Sequence, residues 1–300
     1  MLKCAAMNKQ NNIDQLQRFI FDKTAVRGNH VNLSLTIARA LQHHHYPAML
    51  KNALSELMVA STLLAATLKM QGSLILQMQG KGALKLLVVE CTSALEIRAT
   101  AKWSGNISQG SFLDLLSQGH FVITLDPKDG GQTYQGIVPI EGNSIAEILQ
   151  NYMQRSEQIE TRIWLASDDN QAAGMLLQKL PEQLEVDTDA WNRVCHLADT
   201  VTDEELRGLD ATSLLHRLFH EENVRIFDAH LAQFKCRCTR QNVGNMLRML
   251  GADEITSILA ERENIEVHCD FCNQAYMFDA VDAAQLLASD TTMSMPKMAH

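Results

Sequence analysis

Along this chain the apolar positions change their period several times, and each change marks a new structural element. Residues 16–26 (LQRFIFDKTAV) and 31–35 read as two strands, with Gly28 and Asn29 placed at the turn between them. From 47 to 70 the apolar positions recur at helical spacing. Pro47 opens that helix, where its missing N–H does no harm, and Gly72 ends it. A run of short strand patterns follows, at Leu74–Met78, Leu84–Glu90, Glu96–Trp103, Phe121–Leu125 and Tyr134–Pro139. Gly, Asn and Asp punctuate these strands at Gly80–Gly82, Gly105–Asn106 and Asp129–Gly131, so hairpins are expected in preference to strand–helix–strand crossovers. Residues 144–155 form a predicted helix whose first turn reads as a capping box, Ser144 with Glu147. Ile163–Ala166 reads as one further strand, and Ala172–Leu180 as a short helix stopped by Pro181.

Beyond Pro181 the pattern changes character. Residues 182–235 carry no convincing strand and repeat amphipathic helix signals, among them a capping box of Thr202 and Glu205 ahead of Leu206, Leu214, Leu215 and Phe219. Between Asp199 and Glu222 stand seven acids and two arginines, so these helices need a partner surface for their apolar stripe. Residues 236–290 read as a small module: helices at Asn242–Leu250 and Asp253–Glu263, a hairpin in IEVHCDFCNQAYMFD, and a final helix at Ala280–Ala288. The predicted fold class is α+β. It has an N-terminal domain (1–181) with a mixed or antiparallel sheet and helices, a helical linker (182–235), a small C-terminal module (236–290) and a disordered tail (291–300).

Composition narrows the function. The 300 residues suffice for about two domains. A hydrophobic fraction of 46% supports ordinary cores. The net charge of −9 argues against a general nucleic-acid binder, which needs clustered Lys and Arg to displace counterions. The module itself carries four arginines against nine acids, which argues against phosphate-backbone binding there too. The N-terminal residues lack an apolar core of signal-peptide length, and the apolar stretch Leu57–Leu68 is too short to span a bilayer. A cytoplasmic protein without membrane or nucleic-acid partners is expected.

Candidate chemistry concentrates in four cysteines. Cys236 and Cys238 form a Cys-x-Cys pair, and thirty residues later Cys269 and Cys272 form a Cys-x-x-Cys pair at the hairpin turn. Two such pairs can supply four thiolates to one tetrahedral Zn²⁺ per chain, and four cysteines leave no open position for catalysis. A module of this size buries too little surface to be secure alone, so metal and local fold should be coupled. The same spacing lets each pair close on itself as a disulfide. A Cys-x-Cys ring is strained, and strained disulfides are oxidising and labile. Two readings stay open on the residues alone: an inert structural zinc, and a switch in which oxidation removes the ligands and withdraws the folding energy.

Other groups offer less. Cys4, Cys91 and Cys195 are isolated, and Cys91 reads as a small buried hydrophobe. His43, His44 and His45 are consecutive, so their side chains diverge, as in a surface loop before Pro47. The glycines match neither a P-loop nor a dinucleotide fingerprint, and no nucleophile has an evident base. The chain is therefore not expected to be an enzyme. The enzymatic alternative is a thiol-disulfide oxidoreductase using Cys269 and Cys272. A third reading is a constitutive binding protein with an inert zinc.

The motif Phe234-Lys-Cys236-Arg-Cys238, followed by Val267-His-Cys269-Asp-Phe-Cys272 and Tyr276-Met-Phe278-Asp279, resembles that of the redox-regulated heat-shock holdase chaperones, the thirty-three-kilodalton chaperonin family. Val26-Arg27-Gly28, the run from Gly72 to Glu90, Ile145 to Gln158, Gly174 to Pro181 and Phe219-His-Glu-Glu222 extend the likeness over roughly residues 16–285. One departure is Ala173-Gly174, where a glycine pair is expected. The resemblance implies an ATP-independent holdase of the stress response. When reduced, it is inactive and its cysteines hold zinc. Oxidation with some unfolding forms the disulfides Cys236–Cys238 and Cys269–Cys272 and releases zinc. The module and linker then unfold, a homodimer is favoured, and unfolding client proteins are bound.

Overall fold

The structure is a computed structural model that describes residues 14–105, 107, 112–116, 118–181, 187 and 189–288. Cys4 and the tail at 291–300 lie outside the described residues. The chain divides into two compact units, Met1–Lys235 and Cys236–His300.

The first unit begins with strands β1 (Gln15–Phe21) and β2 (Val26–Leu33) and helices α1 (Leu35–Leu41) and α2 (Ala48–Ala65). Next come β3 (Gly72–Gln79), β4 (Leu84–Thr92), β5 (Glu96–Trp103), α3 (Phe112–Leu116), β6 (His120–Pro127) and β7 (Tyr134–Pro139). Then follow α4 (Ile145–Arg155), β8 (Thr161–Ser167) and β9 (Ala172–Lys179). The last part holds α5 (Ala190–Ala198), α6 (Asp203–Gly208), α7 (Ala211–Phe219) and the short strands β10 (Val224–Ile226), β11 (His230–Leu231) and β12 (Gln233–Phe234).

Two six-stranded sheets result. One runs β10-β1-β2-β9-β8 with β11 also on β1, and the other runs β12-β5-β4-β3-β6-β7. Pairing is antiparallel except between β12 and β5. Between the sheets lies α2, which packs on β2, β8 and β9 and on β3, β4 and β5. Its residues from Ala53 to Ala65 are nearly all buried, as expected of a helix that is apolar all round. The few hydroxyls there bond back along the helix, Ser61 and Thr62 both donating to the Met58 carbonyl at 2.9 and 2.8 Å.

The far face of the first sheet carries a separate core. Phe19, Phe21, Met175 and Leu177 of the sheet meet Val194, Leu206, Leu218 and Phe219 of α5–α7. This helical layer supplies the partner surface that its amphipathic pattern requires. Polar bonds pin it as well: Asn32 Nδ2 donates to the Arg207 carbonyl at 2.9 Å, and Arg207 Nε pairs with Asp168 Oδ2 at 3.1 Å.

Several expectations need correction. Ala172–Leu180 is not a helix but β9, with seven of its residues buried. Its apolar run is that of a strand covered on both faces, by α2 and by the α5–α7 layer. The turn between β1 and β2 lies at 22–25, and Gly28 sits inside β2, where a Cβ would stand 2.2 Å from the Phe19 ring. The segment 182–235 does carry strands, the short β10–β12 that join existing sheet edges. Helices α1 and α3 were not expected. Ser144 caps α4 by accepting from the Glu147 amide, but the Glu147 carboxylate accepts from Asn143, so the box is half formed. The box of Thr202 and Glu205 is complete.

Candidate metal centre

The second unit is built from α8 (Arg240–Leu250), α9 (Ala252–Glu261), the hairpin β13 (Ile265–His268) and β14 (Ala275–Phe278), and α10 (Ala280–Ala288). Its core is small: Val243, Leu247, Ile255, Ile265, Phe278 and Ala283 are the buried members. The Arg240 guanidinium lies 4.4 Å from the Phe278 ring centroid and pairs with Asp282 at 2.6 Å, which ties α8 to β14 and α10.

Each cysteine pair is held by backbone geometry. Cys236 and Cys238 directly precede α8, whose N-cap Thr239 accepts from the Asn242 amide at 3.1 Å, while Asn242 Nδ2 donates to the Arg237 carbonyl at 3.3 Å. Cys269 and Cys272 occupy the β13–β14 turn. There the Cys269 amide donates to the Gln274 carbonyl at 3.0 Å and the Asn273 amide to the Cys269 carbonyl at 2.8 Å. Asn273 takes the left-handed conformation at φ 55°, which Asn tolerates better than most residues.

These loops bring all four Sγ atoms within 4.8 Å of one another. The Cys236–Cys269 and Cys238–Cys272 separations are 3.6 and 3.4 Å. A tetrahedron with Zn–S bonds of about 2.3 Å has sulfur–sulfur edges of about 3.8 Å, so the cluster has the size of a Zn²⁺ site. All four cysteines are half-buried, sheltered yet within reach of small oxidants. Tyr276 donates its hydroxyl to Cys238 Sγ at 3.1 Å.

The thiols of the cluster differ in their electrostatics. Burial pushes the Cys236 and Cys272 thiols above their ordinary range. Burial acts on Cys238 too, but donation from Tyr276 and the neighbouring thiols outweighs it and holds Cys238 below that range. Four mutually repelling thiolates in this volume are stable only around a positive ion. The same cluster could hold a metal ion through all four sulfurs, and it is the one such group among the described residues. Tyr276 was not singled out as a ligand-supporting residue by spacing, because a tyrosine on a short strand carries no such signal.

The remaining candidates separate from this site. Cys91 and Cys195 are buried, and burial pushes both thiols up to about 12, so they are poor nucleophiles. His43 and His45 are exposed in the loop after α1, and the His44 ring stacks near Tyr46 at 5.3 Å.

Comparison with known proteins decides the family, because the model described as Hsp33 protein matches residues 14–279. The chain belongs to the Hsp33 family. An Hsp33 relative, the 33 kDa chaperonin of Methylobacillus flagellatus, is 61% identical over 289 residues, which cover 96% of this chain and 99% of that protein. The 33 kDa chaperonin of Chromobacterium violaceum is 49% identical over 97% of this chain and 99% of its own length. A crystal structure of the Hsp33 homologue of Thermotoga maritima superposes with a TM-score of 0.80 at 19% identity, covering 94% of this chain and 100% of that one. That last likeness is one of fold. As a member of the Hsp33 family the chain is a chaperone that binds client proteins, not an enzyme. Among the described residues no helix is long and apolar enough to cross a membrane.

Proposed function

We propose that this chaperone is an ATP-independent holdase of the cytoplasm whose client binding is switched by oxidation of the four-cysteine cluster. In the reduced state Cys236, Cys238, Cys269 and Cys272 hold one Zn²⁺, and the protein is inactive. The bound ion supplies folding energy to the module, on the order of 10 kcal/mol by comparison with small zinc peptides. The observation that carries the reading is the approach of four half-buried sulfurs within 4.8 Å in a module with so small a core.

Oxidation proceeds on the sulfurs. A thiolate attacks peroxide, giving a sulfenic acid and hydroxide. The partner thiolate of the pair then displaces hydroxide to form the disulfide, two electrons per disulfide having passed to the peroxide. The pairs proposed are Cys236–Cys238 and Cys269–Cys272. With its ligands consumed, the module loses the energy that held it folded. The α5–α7 layer follows when unfolding conditions assist, exposing the apolar faces now buried against Phe19, Phe21 and Met175. That surface binds unfolding clients, and the oxidised form associates as a homodimer.

The test measures zinc release and suppression of client aggregation together, before and after peroxide at mildly raised temperature. Loss of one zinc per chain with appearance of holdase activity is expected. Retained zinc, or zinc loss without activity, overturns the switch. Mass mapping of the oxidised chain decides the pairing, since the close sulfur contacts Cys236–Cys269 and Cys238–Cys272 run across the proposed pairs.

A further inference from the structure

Among the described residues, Arg27 has no counter-charge. It lies on the face of β2 turned to α2, paired in register with Gln178 of β9. Its Nε and Nη2 donate to Gln178 Oε1 at 3.1 and 2.7 Å. Gln178 is fully buried, and its Nε2 donates in turn to Thr161 Oγ1 at 3.2 Å. This relay fixes the guanidinium plane. A guanidinium has five N–H donors, and among the described residues its one acceptor here is a neutral amide oxygen. Burial lowers the pKa of Arg27, the mark of a cation held away from water without an opposing charge.

A cavity of about 210 Å³ opens beside it, lined among others by Arg18, Arg27, Asn29, Thr67 and Phe227. A second cavity of about 140 Å³ shares Arg18 and adds Lys69 and His230. Neither lining includes an aspartate or glutamate. In a chain of net charge −9, two adjoining cavities lined by Arg18, Arg27 and Lys69 and by no acid concentrate positive potential. Asn29 and Thr67 are committed to the Leu63 and Leu64 carbonyls at 3.0 and 2.8 Å, which leaves the arginines and Lys69 as donors. Arg18 makes its side-chain bond to His230 Nε2 at 2.9 Å. Neither arginine bonds the last carbonyls of α2, so capping of that helix does not account for them.

We propose that this groove binds a tetrahedral oxyanion of the phosphate class between Arg18 and Arg27, and that the bound anion fastens the Phe227–His230 segment to β1. The guanidinium fork matches two oxygens of such an anion. The segment already touches the site: the Phe227 amide donates to the Arg18 carbonyl at 3.0 Å, and His230 pairs with Leu16 of β1. The anion is free phosphate or the phosphoryl group of a small metabolite.

The experiment titrates the full-length reduced protein, zinc-loaded, with inorganic phosphate and separately with glycerol phosphate, calorimetrically and in a constant sodium chloride background. Wild type is expected to bind saturably, with slowed amide exchange at Phe227 and Ala232. Arg18→Gln and Arg27→Gln are each expected to weaken binding by roughly tenfold or more. Arg18 is exposed, so its variant keeps the test valid if Arg27→Gln fails to fold. Tighter binding of glycerol phosphate assigns the site to a phosphorylated metabolite, and the reverse to free phosphate. Absence of saturable binding, equal binding in both variants, or binding without exchange protection overturns the proposal.

Discussion

Acidification from about pH 7 to about pH 5 is expected to loosen the α5–α7 layer through one side chain, His30. It stands on β2, between Gln17 of β1 and Met175 of β9, and faces the helical layer. It is 2% exposed, it hydrogen-bonds the backbone of Leu206, and Asp210 is the charged group near it. Its Nε2 has no partner among the described residues. Protonation would therefore place a second N–H against a surface with no acceptor. Burial lowers its pKa from 6.5 to about 4, against the weaker pull of Leu206 and Asp210. The unfolded chain takes up the proton first. The stabilising contribution is thus complete above the unfolded value, drains as the pH falls toward the folded value, and is absent below it. The whole gap is worth about 3 kcal/mol, of which about 2 kcal/mol falls between pH 7 and pH 5.

Other groups titrate with different signs. Burial raises the pKa of Glu56, so its protonation on acidification acts in the opposite direction. Glu205 and Asp210 have lowered pKa values and lose their contribution only below the ordinary carboxylate range. His30→Gln removes one titration and leaves the rest, so the difference between the two proteins isolates it. Urea midpoints followed by the fluorescence of Trp164 and Trp191, which pack at the edge of this core, supply the measurement. Between pH 7 and pH 5 the wild type should lose about 2 kcal/mol more than the variant. Identical pH slopes in the two proteins would refute the reasoning.

Phe219 is 1% exposed and its ring meets Phe21 edge-on at 5.0 Å, so Phe219→Ala should cost about 3–5 kcal/mol. Under the proposed switch that variant suppresses client aggregation without oxidant, which light scattering of a heated client checks. Tyr276→Phe removes the donor to Cys238 and should weaken zinc affinity about tenfold with stoichiometry unchanged, as read by chelator competition. Gly174→Ala would place a Cβ 2.5 Å from Val59 Cγ1 and 2.9 Å from the Trp164 carbonyl. It should cost about 1–3 kcal/mol in a thermal melt, and a wild-type melt would mean that α2 does not press on β9.

The cysteine cluster was legible in sequence because its chemistry depends on residue type and spacing, and because the intervening helices and hairpin have strong local signals. Tyr276 was not legible in the same way, since only folding of the hairpin brings it to Cys238. Strand β9 was misread because burial on both faces erases the alternation that identifies a half-exposed strand. Helix α1 depends on Asp14, whose carboxylate accepts from the amides of Ser34 and Leu35 at 2.8 and 3.2 Å, a cap delivered from twenty residues away. Gly28 looked like a turn because turns use glycine. Here its missing side chain makes room for Phe19.

The short strands of the segment from Val224 to Phe234 have a role out of proportion to their length. β10 and β11 pair along the outer side of β1, and β12 pairs along the outer side of β5. One stretch of chain thus closes a border of each large sheet. If that stretch detaches, two rows of backbone amides and carbonyls lose their partners at once. Open borders of this kind template the pairing of any extended chain that reaches them, a second copy included. Release of the segment would therefore make the protein receptive through its main chain, independently of the side chains it uncovers, and self-association would compete directly with capture of other chains.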